Sequence, residues 1–157
     1  MSKSTNIPVL ETDNLIVKKI KQKLNQSGGS ETIPLLQGGP CEIWYSLNGK
    51  GLESSKIPLE NQLTWDVFTA TVELVIEKGG KAVKGNARAG RLGSDRLPLD
   101  SVEGNIAHKV RGLQEGDSAY GPGFVVCSIL DWAEICKNER GFLSIRPMFL
   151  LEFNESH

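Results

Sequence analysis

The chain has 157 residues, of which 39% are hydrophobic and 24% are charged, a composition typical of an ordinary globular protein. A chain of this length buries about two-thirds of its unfolded surface, so it can form a core without disulfides or metals. We therefore expect a single domain over residues 1–157, with a flexible N-terminal segment over 1–12. A formal charge of -1 excludes the strongly basic balance of histone-like and ribosomal proteins.

The three cysteines, Cys41, Cys127 and Cys136, are an odd number, and their spacing fits neither a disulfide framework nor a paired metal knuckle. Cysteines of this kind are typical of a reducing compartment, so a cytoplasmic location is expected. The first residues are too polar for a signal peptide, and no stretch approaches the ~20 apolar residues that a membrane span needs. We expect a soluble protein with no membrane partner.

The first predicted element is an amphipathic helix over residues 13–26. Thr12 or Asp13 stands where a helix cap is preferred, and Gly28 follows the last turn, where glycine often ends a helix. The apolar residues of its inner face, three or four positions apart, are Ile16, Ile20 and Leu24. This spacing predicts a helix that packs on the core by one face.

The clearest strand signal is the run 42–47, which is rich in aromatic and β-branched residues. The pair Asn48-Gly49 follows it, and such pairs adopt tight hairpin turns readily. The returning strand would cover about 50–57, where glycine and serine weaken it, and Pro58 ends it. A small antiparallel sheet is therefore expected here.

Two helices are predicted in the middle of the chain. Thr64 opens a helix over 64–78 that is apolar around most of its circumference, as a buried helix is. Asp100 precedes a second helix over 101–113 and stands three residues before Glu103, the spacing of a capping box. The second helix divides cleanly into an apolar and a polar face.

The last third of the chain predicts a helix over 124–137, although its first half would also fit a buried strand. A final strand over 141–153 is expected to lie at a sheet edge or to break in two, because Pro147 cannot donate a ladder hydrogen bond.

Together these elements predict an α+β fold, a single compact domain with about four helices and a small, mainly antiparallel sheet. The side chains expected to be largely buried in its core are Trp65, Phe68, Val72, Ile76, Ile106, Val110, Ile129 and Trp132.

No catalytic group, metal site or cofactor is predicted from residue spacing. Two glycines in the segment 85–92 have P-loop spacing, but Arg91 and Leu92 stand where that motif needs Lys and then Ser or Thr. Ser101 and His108 would lie about 10 Å apart along one helix, too far for a nucleophile and its base. Neither histidine has cysteine or histidine neighbours at a zinc-binding spacing.

One segment departs in charge from the rest. The window 78–111 holds eight Lys and Arg against three Asp and Glu, whereas the whole chain has a charge of -1. Its glycines bring backbone N–H groups close to an anion, and arginine contacts phosphates through a planar fork. The residues that this pattern assigns to nucleic-acid binding are Lys81, Lys84, Arg88, Arg91, Arg96, Asn105, His108 and Arg111.

The leading hypothesis is a small intracellular module that binds a polyanion, most concretely the backbone of DNA or RNA, through residues 81–111 without covalent chemistry. A metal-dependent hydrolase or nuclease is one alternative, with magnesium held by Glu73, Glu77, Asp95 or Asp100. Another is an oligomeric or partner-binding protein whose interface uses Trp44, Tyr45 and Tyr120. The remaining alternative is a solvated loop whose cations pair with acidic side chains.

Overall fold

The structure is a computed structural model that describes residues 5–58 and 63–156. Within these ranges the chain forms five helices and two small antiparallel sheets, which confirms the predicted α+β class. No helix in the described part of the chain is long and apolar enough to cross a lipid bilayer.

Helix α1, Leu15–Gln26, buries the predicted face of Ile16, Ile20 and Leu24. Its cap is Asn14, whose side chain accepts the backbone N–H of Val17 at 2.9 Å, and not Thr12 or Asp13 as predicted. Asparagine caps a helix as well as aspartate does, and the helix begins at Leu15, two residues later than expected.

The segment before α1 is attached to the helix by side-chain hydrogen bonds. The Asn25 amide donates to the carbonyl of Ile7 at 2.8 Å. The buried ammonium of Lys21 donates to the carbonyl of Pro8 at 3.2 Å and to Asp13 at 2.7 Å. The flexibility expected of residues 1–12 stays a prediction, and residues 1–4 lie outside the described ranges.

The first sheet contains β1 Ser30–Pro34, β2 Pro40–Tyr45, β3 Gly51–Ser54 and β4 Leu63–Thr64 in that order, each antiparallel to the next. Strands β2 and β3 form the predicted hairpin, whose turn contains Gly49 with a φ of 72°. Strand β1 was not predicted, because its short sequence has no clear alternation of apolar and polar residues.

Helix α2, Trp65–Glu77, contacts α1, strand β4 and the second sheet, and is the most central helix of the described chain. The predicted core residues that are fully buried are Phe68, Val72, Ile106 and Ile129. Those that are partly buried and pack against the core are Trp65, Ile76, Val110 and Trp132. The assigned helix faces therefore point toward the core, and the four partly buried side chains lie at the margin of the core.

Helix α3, Val102–Asn105, continues into a π-helical turn, Ile106–Val110, so the helix predicted to reach residue 113 ends earlier. Ser101 is the cap and accepts the N–H of Gly104 at 3.0 Å, which corrects the expected cap at Asp100. Asp100 has a different partner, because the ammonium of Lys78 lies 2.7 Å from its carboxylate.

The helix predicted over 124–137 is wrong in its second half. Helix α4 is Gly123–Trp132, and the chain then turns through Glu134, which has a φ of 62°, into strand β6, Cys136–Glu139. The first half, which would also have fitted a buried strand, is helical. After α4 the residues Ala133 and Cys136 keep the helical spacing, but pairing with β7 selects a strand there.

Strand β6 belongs to the second sheet, in which β7, Phe142–Ile145, lies between β6 and β5, Lys81–Val83. The strand predicted over 141–153 is corrected, because it ends at Ile145 and is followed by helix α5, Pro147–Glu155. Proline is favoured in the first turn of a helix, where its missing N–H has no intrahelical partner to lose.

Candidate functional site

A concavity of about 960 Å³, called the cleft below, opens among the described residues. Its wall is formed by Glu103 of α3 and by four segments: 35–38 between β1 and β2, 84–88 after β5, 119–124 before and at the start of α4, and 138–141 around the β6–β7 turn. Its volume lies within the range of small-molecule sites, roughly 300–1,000 Å³.

Three cationic side chains line the cleft: Lys84, Arg88 and Arg140. Arg88 and Arg140 are exposed and Lys84 is half-buried. Within the described ranges, none of the ion pairs closer than 4.0 Å involves these three residues. Their charges are therefore available to an anionic ligand in the cleft.

The conformation of the segment after β5 places Arg88 at the cleft. The Asn86 side-chain oxygen accepts the N–H groups of Arg88 and Ala89 at 3.1 and 3.2 Å, which closes a tight turn. Gly85 has a φ of 74°, and a Cβ atom there would collide with the hydroxyl of Ser101. Glycine is required at this position on both grounds.

Two aromatic rings line the cleft beside these cations. Tyr120 is 37% exposed and Phe124 is 44% exposed, and both belong to the segment that leads into α4. The guanidinium of Arg111 lies 5.9 Å from the centroid of the Tyr120 ring, within the range of a cation–π contact. The cleft thus combines positive charge with exposed π surface.

Glu103 is the acidic residue of the cleft wall and is only 9% exposed. Both of its carboxylate oxygens accept the backbone N–H of Gly123 at 3.0 Å. Burial raises the pKa of Glu103 to about 7, although the hydrogen bond from Gly123 and the charges of Arg111 and Lys84 lower it. Such a carboxyl group changes protonation near neutral pH.

Glycines at the start of α4 allow this contact. A Cβ atom at Gly123 would lie 2.6 Å from the carboxyl carbon of Glu103, and one at Gly121 would lie 2.9 Å from its Oε2 atom. The helix cap, Pro122, makes no side-chain hydrogen bond to the first turn of α4. Glu103, which belongs to a different part of the chain, therefore caps the N-terminus of α4 by accepting a backbone N–H of its first turn.

The structure brings together only some of the residues predicted to bind nucleic acid. Lys84 and Arg88 line the cleft, and Arg111 contacts its wall through Tyr120. Lys81 lies next to the cleft segment on β5, with its ammonium 4.7 Å from the centroid of the Phe142 ring.

The other predicted residues lie outside the cleft wall. Arg96 is exposed, and Arg91 is exposed with its guanidinium donating to the carbonyl of Gly116 at 3.1 Å. His108 is exposed and its Nδ1 atom lies 2.8 Å from the carbonyl oxygen of Leu113. Asn105 is buried and donates to the carbonyl of Ala70 at 3.1 Å, so its amide serves the packing of α3 on α2.

Sequence reasoning assigned no ligand-binding role to Glu103, Phe124 or Arg140, and it named Tyr120 only as part of a possible protein interface. Glu103 was interpreted as part of a capping box within its own helix, whereas its carboxylate reaches the next helix. The run Gly121-Pro122-Gly123 before an apolar helix was the available signal, because two glycines so placed indicate a close approach of another group to the backbone.

The hydrolase alternative gains no specific support from the described residues, whereas one cation of the window 78–111, Lys78, pairs with Asp100, as the solvated-loop alternative expects. Glu73, Glu77, Asp95 and Asp100 are exposed, and the described side chains contain no group of three or more His, Cys, Asp or Glu that could hold a metal ion. Tyr45 is buried, and its hydroxyl donates to Asn25 at 2.8 Å, while the half-buried Trp44 donates to Glu53 at 2.8 Å.

Comparison of the chain with protein-family models, with curated proteins and with solved structures finds no match.

Proposed function

We propose that the protein binds single-stranded nucleic acid in the cleft. The observation that carries this proposal is the placement of Lys84, Arg88 and Arg140 in the same concavity as the exposed rings of Tyr120 and Phe124. Proteins bind single strands with cationic grooves that follow the phosphates and with aromatic side chains on which unpaired bases stack. The cleft supplies both kinds of contact.

The shape of the site favours a single strand over a duplex. Proteins read duplex DNA by inserting a projecting helix or β-ribbon into a groove about 12 Å wide. Here Lys84 and Arg88 line a concavity, and the cleft volume of about 960 Å³ accommodates bases that have left a stack. Unpaired bases also expose the faces that Tyr120 and Phe124 can cover.

The test is fluorescence anisotropy with labelled single-stranded oligonucleotides over a range of salt concentrations. Each phosphate contact contributes roughly -0.7 to the slope of log K against log salt for a single strand, because condensed counterions are released. We expect Arg88→Ala and Arg140→Ala each to flatten the slope by about this amount. A duplex of the same length should bind more weakly than the single strand.

Arg96→Ala is the matched control, because Arg96 is another exposed arginine of the same glycine-rich segment and does not line the cleft. It should leave both affinity and salt slope unchanged. Equal losses in Arg88→Ala and Arg96→Ala would indicate attraction to overall charge and would contradict binding in the cleft. Absence of any salt-dependent binding would reject the proposal altogether.

A further inference from the structure

The carboxylate of Glu103 is an unusual group for a site that attracts phosphates, because it repels them. It lies in the wall of the cleft, which Ala87 and Gly121, residues with little or no side chain, also line. The carboxylate itself fills the space beside Gly121 and Gly123, so a ligand must reach it from the open side of the cleft. A phosphate is disfavoured at this point, whereas a hydrogen-bond donor is favoured.

The carboxylate also has unused acceptor capacity. An ionised carboxylate offers about four lone-pair positions, and Gly123 supplies a single N–H that both oxygens share at 3.0 Å. The charged groups that act on Glu103 are Lys84 and Arg111, and the buried thiol of Cys127 is also near enough to interact. A neutral ligand with two adjacent N–H groups could therefore bind both oxygens.

The four bases differ in the hydrogen-bond donors and acceptors that their Watson–Crick edges present. On its Watson–Crick edge guanine presents two adjacent donors, N1–H and the N2 amino group. Adenine and cytosine each place one donor beside an acceptor, and uracil or thymine places one donor between two acceptors. Because an acceptor facing a carboxylate is repelled, guanine is the base that a carboxylate binds through two parallel hydrogen bonds.

We infer that the cleft is a guanine-selective site in which Glu103 accepts the N1–H and N2–H groups of an unpaired guanine. This inference rests on the proposed binding of single strands, and it assigns a base preference that cationic and stacking contacts alone do not give. Tyr120 and Phe124 would cover the faces of the base, and Arg88 and Arg140 would contact the flanking phosphates. Glu103 is the specificity-determining residue in this arrangement.

The test uses the wild-type chain and oligothymidylate probes that differ at one central base, which is guanine, hypoxanthine, adenine, cytosine or thymine. Hypoxanthine retains N1–H but lacks the N2 amino group, so it removes one of the two hydrogen bonds. We expect the guanine probe to bind roughly 5- to 100-fold more tightly than the thymine probe, the range for a good bidentate contact. The hypoxanthine probe should have an intermediate affinity.

Two further measurements link the preference to Glu103. Raising the pH from about 6 to 8 should increase the preference for guanine, because the pKa of Glu103 is raised to about 7 and only the ionised group accepts both bonds. Glu103→Gln keeps the shape of the side chain but not its second acceptor. It should remove the preference for guanine and leave the salt dependence of binding unchanged. Circular dichroism checks whether this variant is folded.

The outcomes separate the inference from the proposed function. Equal affinity for all five probes with a normal salt slope overturns the guanine site and leaves single-strand binding standing. Equal affinity for the guanine and hypoxanthine probes overturns the two-bond contact. No binding of any probe overturns both. If Glu103→Gln does not fold, the affinities of the wild-type chain for the guanine and hypoxanthine probes still decide whether the two-bond contact exists.

Discussion

Glu103 caps helix α4 from outside that helix, since both of its carboxylate oxygens accept the backbone N–H of Gly123 at 3.0 Å. The two residues are 20 positions apart and belong to different helical segments. A negative charge at a helix N-terminus is favourable because it faces the positive end of the helix dipole. Burial opposes this charge, and the balance leaves the carboxyl group about half ionised at pH 7.

The first prediction concerns the contact between these two residues. Gly123→Ala should destabilise the protein by about 1–3 kcal/mol, because the new Cβ atom would overlap the carboxyl group of Glu103, which lies 2.6 Å from its position. Helix propensity alone predicts the opposite sign, a gain of roughly 0.5–1 kcal/mol. Urea denaturation followed by circular dichroism measures the free energy of unfolding.

Glu103→Ala provides the matched background for this prediction, because it removes the atoms that the new methyl group would meet. Gly123→Ala should therefore cost less in Glu103→Ala than in the wild-type chain, and the difference is the coupling energy of the pair. Identical costs in the two backgrounds would show that the glycine is required for a reason other than Glu103.

The second prediction is the pH dependence of stability. The pKa of Glu103 is raised from 4.5 to about 7 in the folded chain, so between these values the folded state holds a proton that the unfolded state has released. Its contribution to stability is complete below about pH 4.5 and is lost as the pH rises through about 7. The loss between about pH 5 and pH 8 should be on the order of 2–3 kcal/mol.

Glu103→Gln isolates this contribution, since every other titrating group is retained. The free energy of unfolding of the wild type relative to this variant should fall steadily as the pH rises over that interval. A difference that is independent of pH would mean that the carboxyl group titrates at its ordinary value and is better solvated than the structure indicates.

The third prediction concerns the core. Phe68 and Ile106 are fully buried, and truncating either to alanine should cost about 2–5 kcal/mol in the free energy of unfolding. Leu47→Ala is the control, because Leu47 is 98% exposed and should change stability by less than about 0.5 kcal/mol. Similar losses at Phe68 and Leu47 would contradict the assigned faces of the helices.

Long amphipathic segments could be predicted from the sequence because their signal is local. Helices α1 and α2 have enough turns for the apolar spacing to identify the buried face, and the Asn48-Gly49 pair fixes the hairpin. The segment after Trp132 could not be predicted, because only packing against β7 selects a strand there. Pro147 was interpreted as interrupting a strand although it begins a helix.

The candidate site could be predicted only in part, for a related reason. Lys84 and Arg88 belong to one glycine-rich, basic segment, and a local excess of charge is visible in the sequence. Arg140 and Tyr120 reach the same cleft from other segments, and no pattern at short range connects them. The π-helical turn Ile106–Val110 could not be predicted either, since its residues also fit a regular helix.

The two glycines beside Glu103, Gly121 and Gly123, limit how the ligand preference of this protein could change during evolution. At Gly121 and Gly123 the main chain itself forms the surface, and any side chain there would displace the carboxylate. Substitutions that alter the ligand while keeping the fold must therefore occur elsewhere in the lining, at positions such as Leu36, Gln37 or Phe124. One part of the cleft is constrained by its backbone, and the remaining side chains are open to variation.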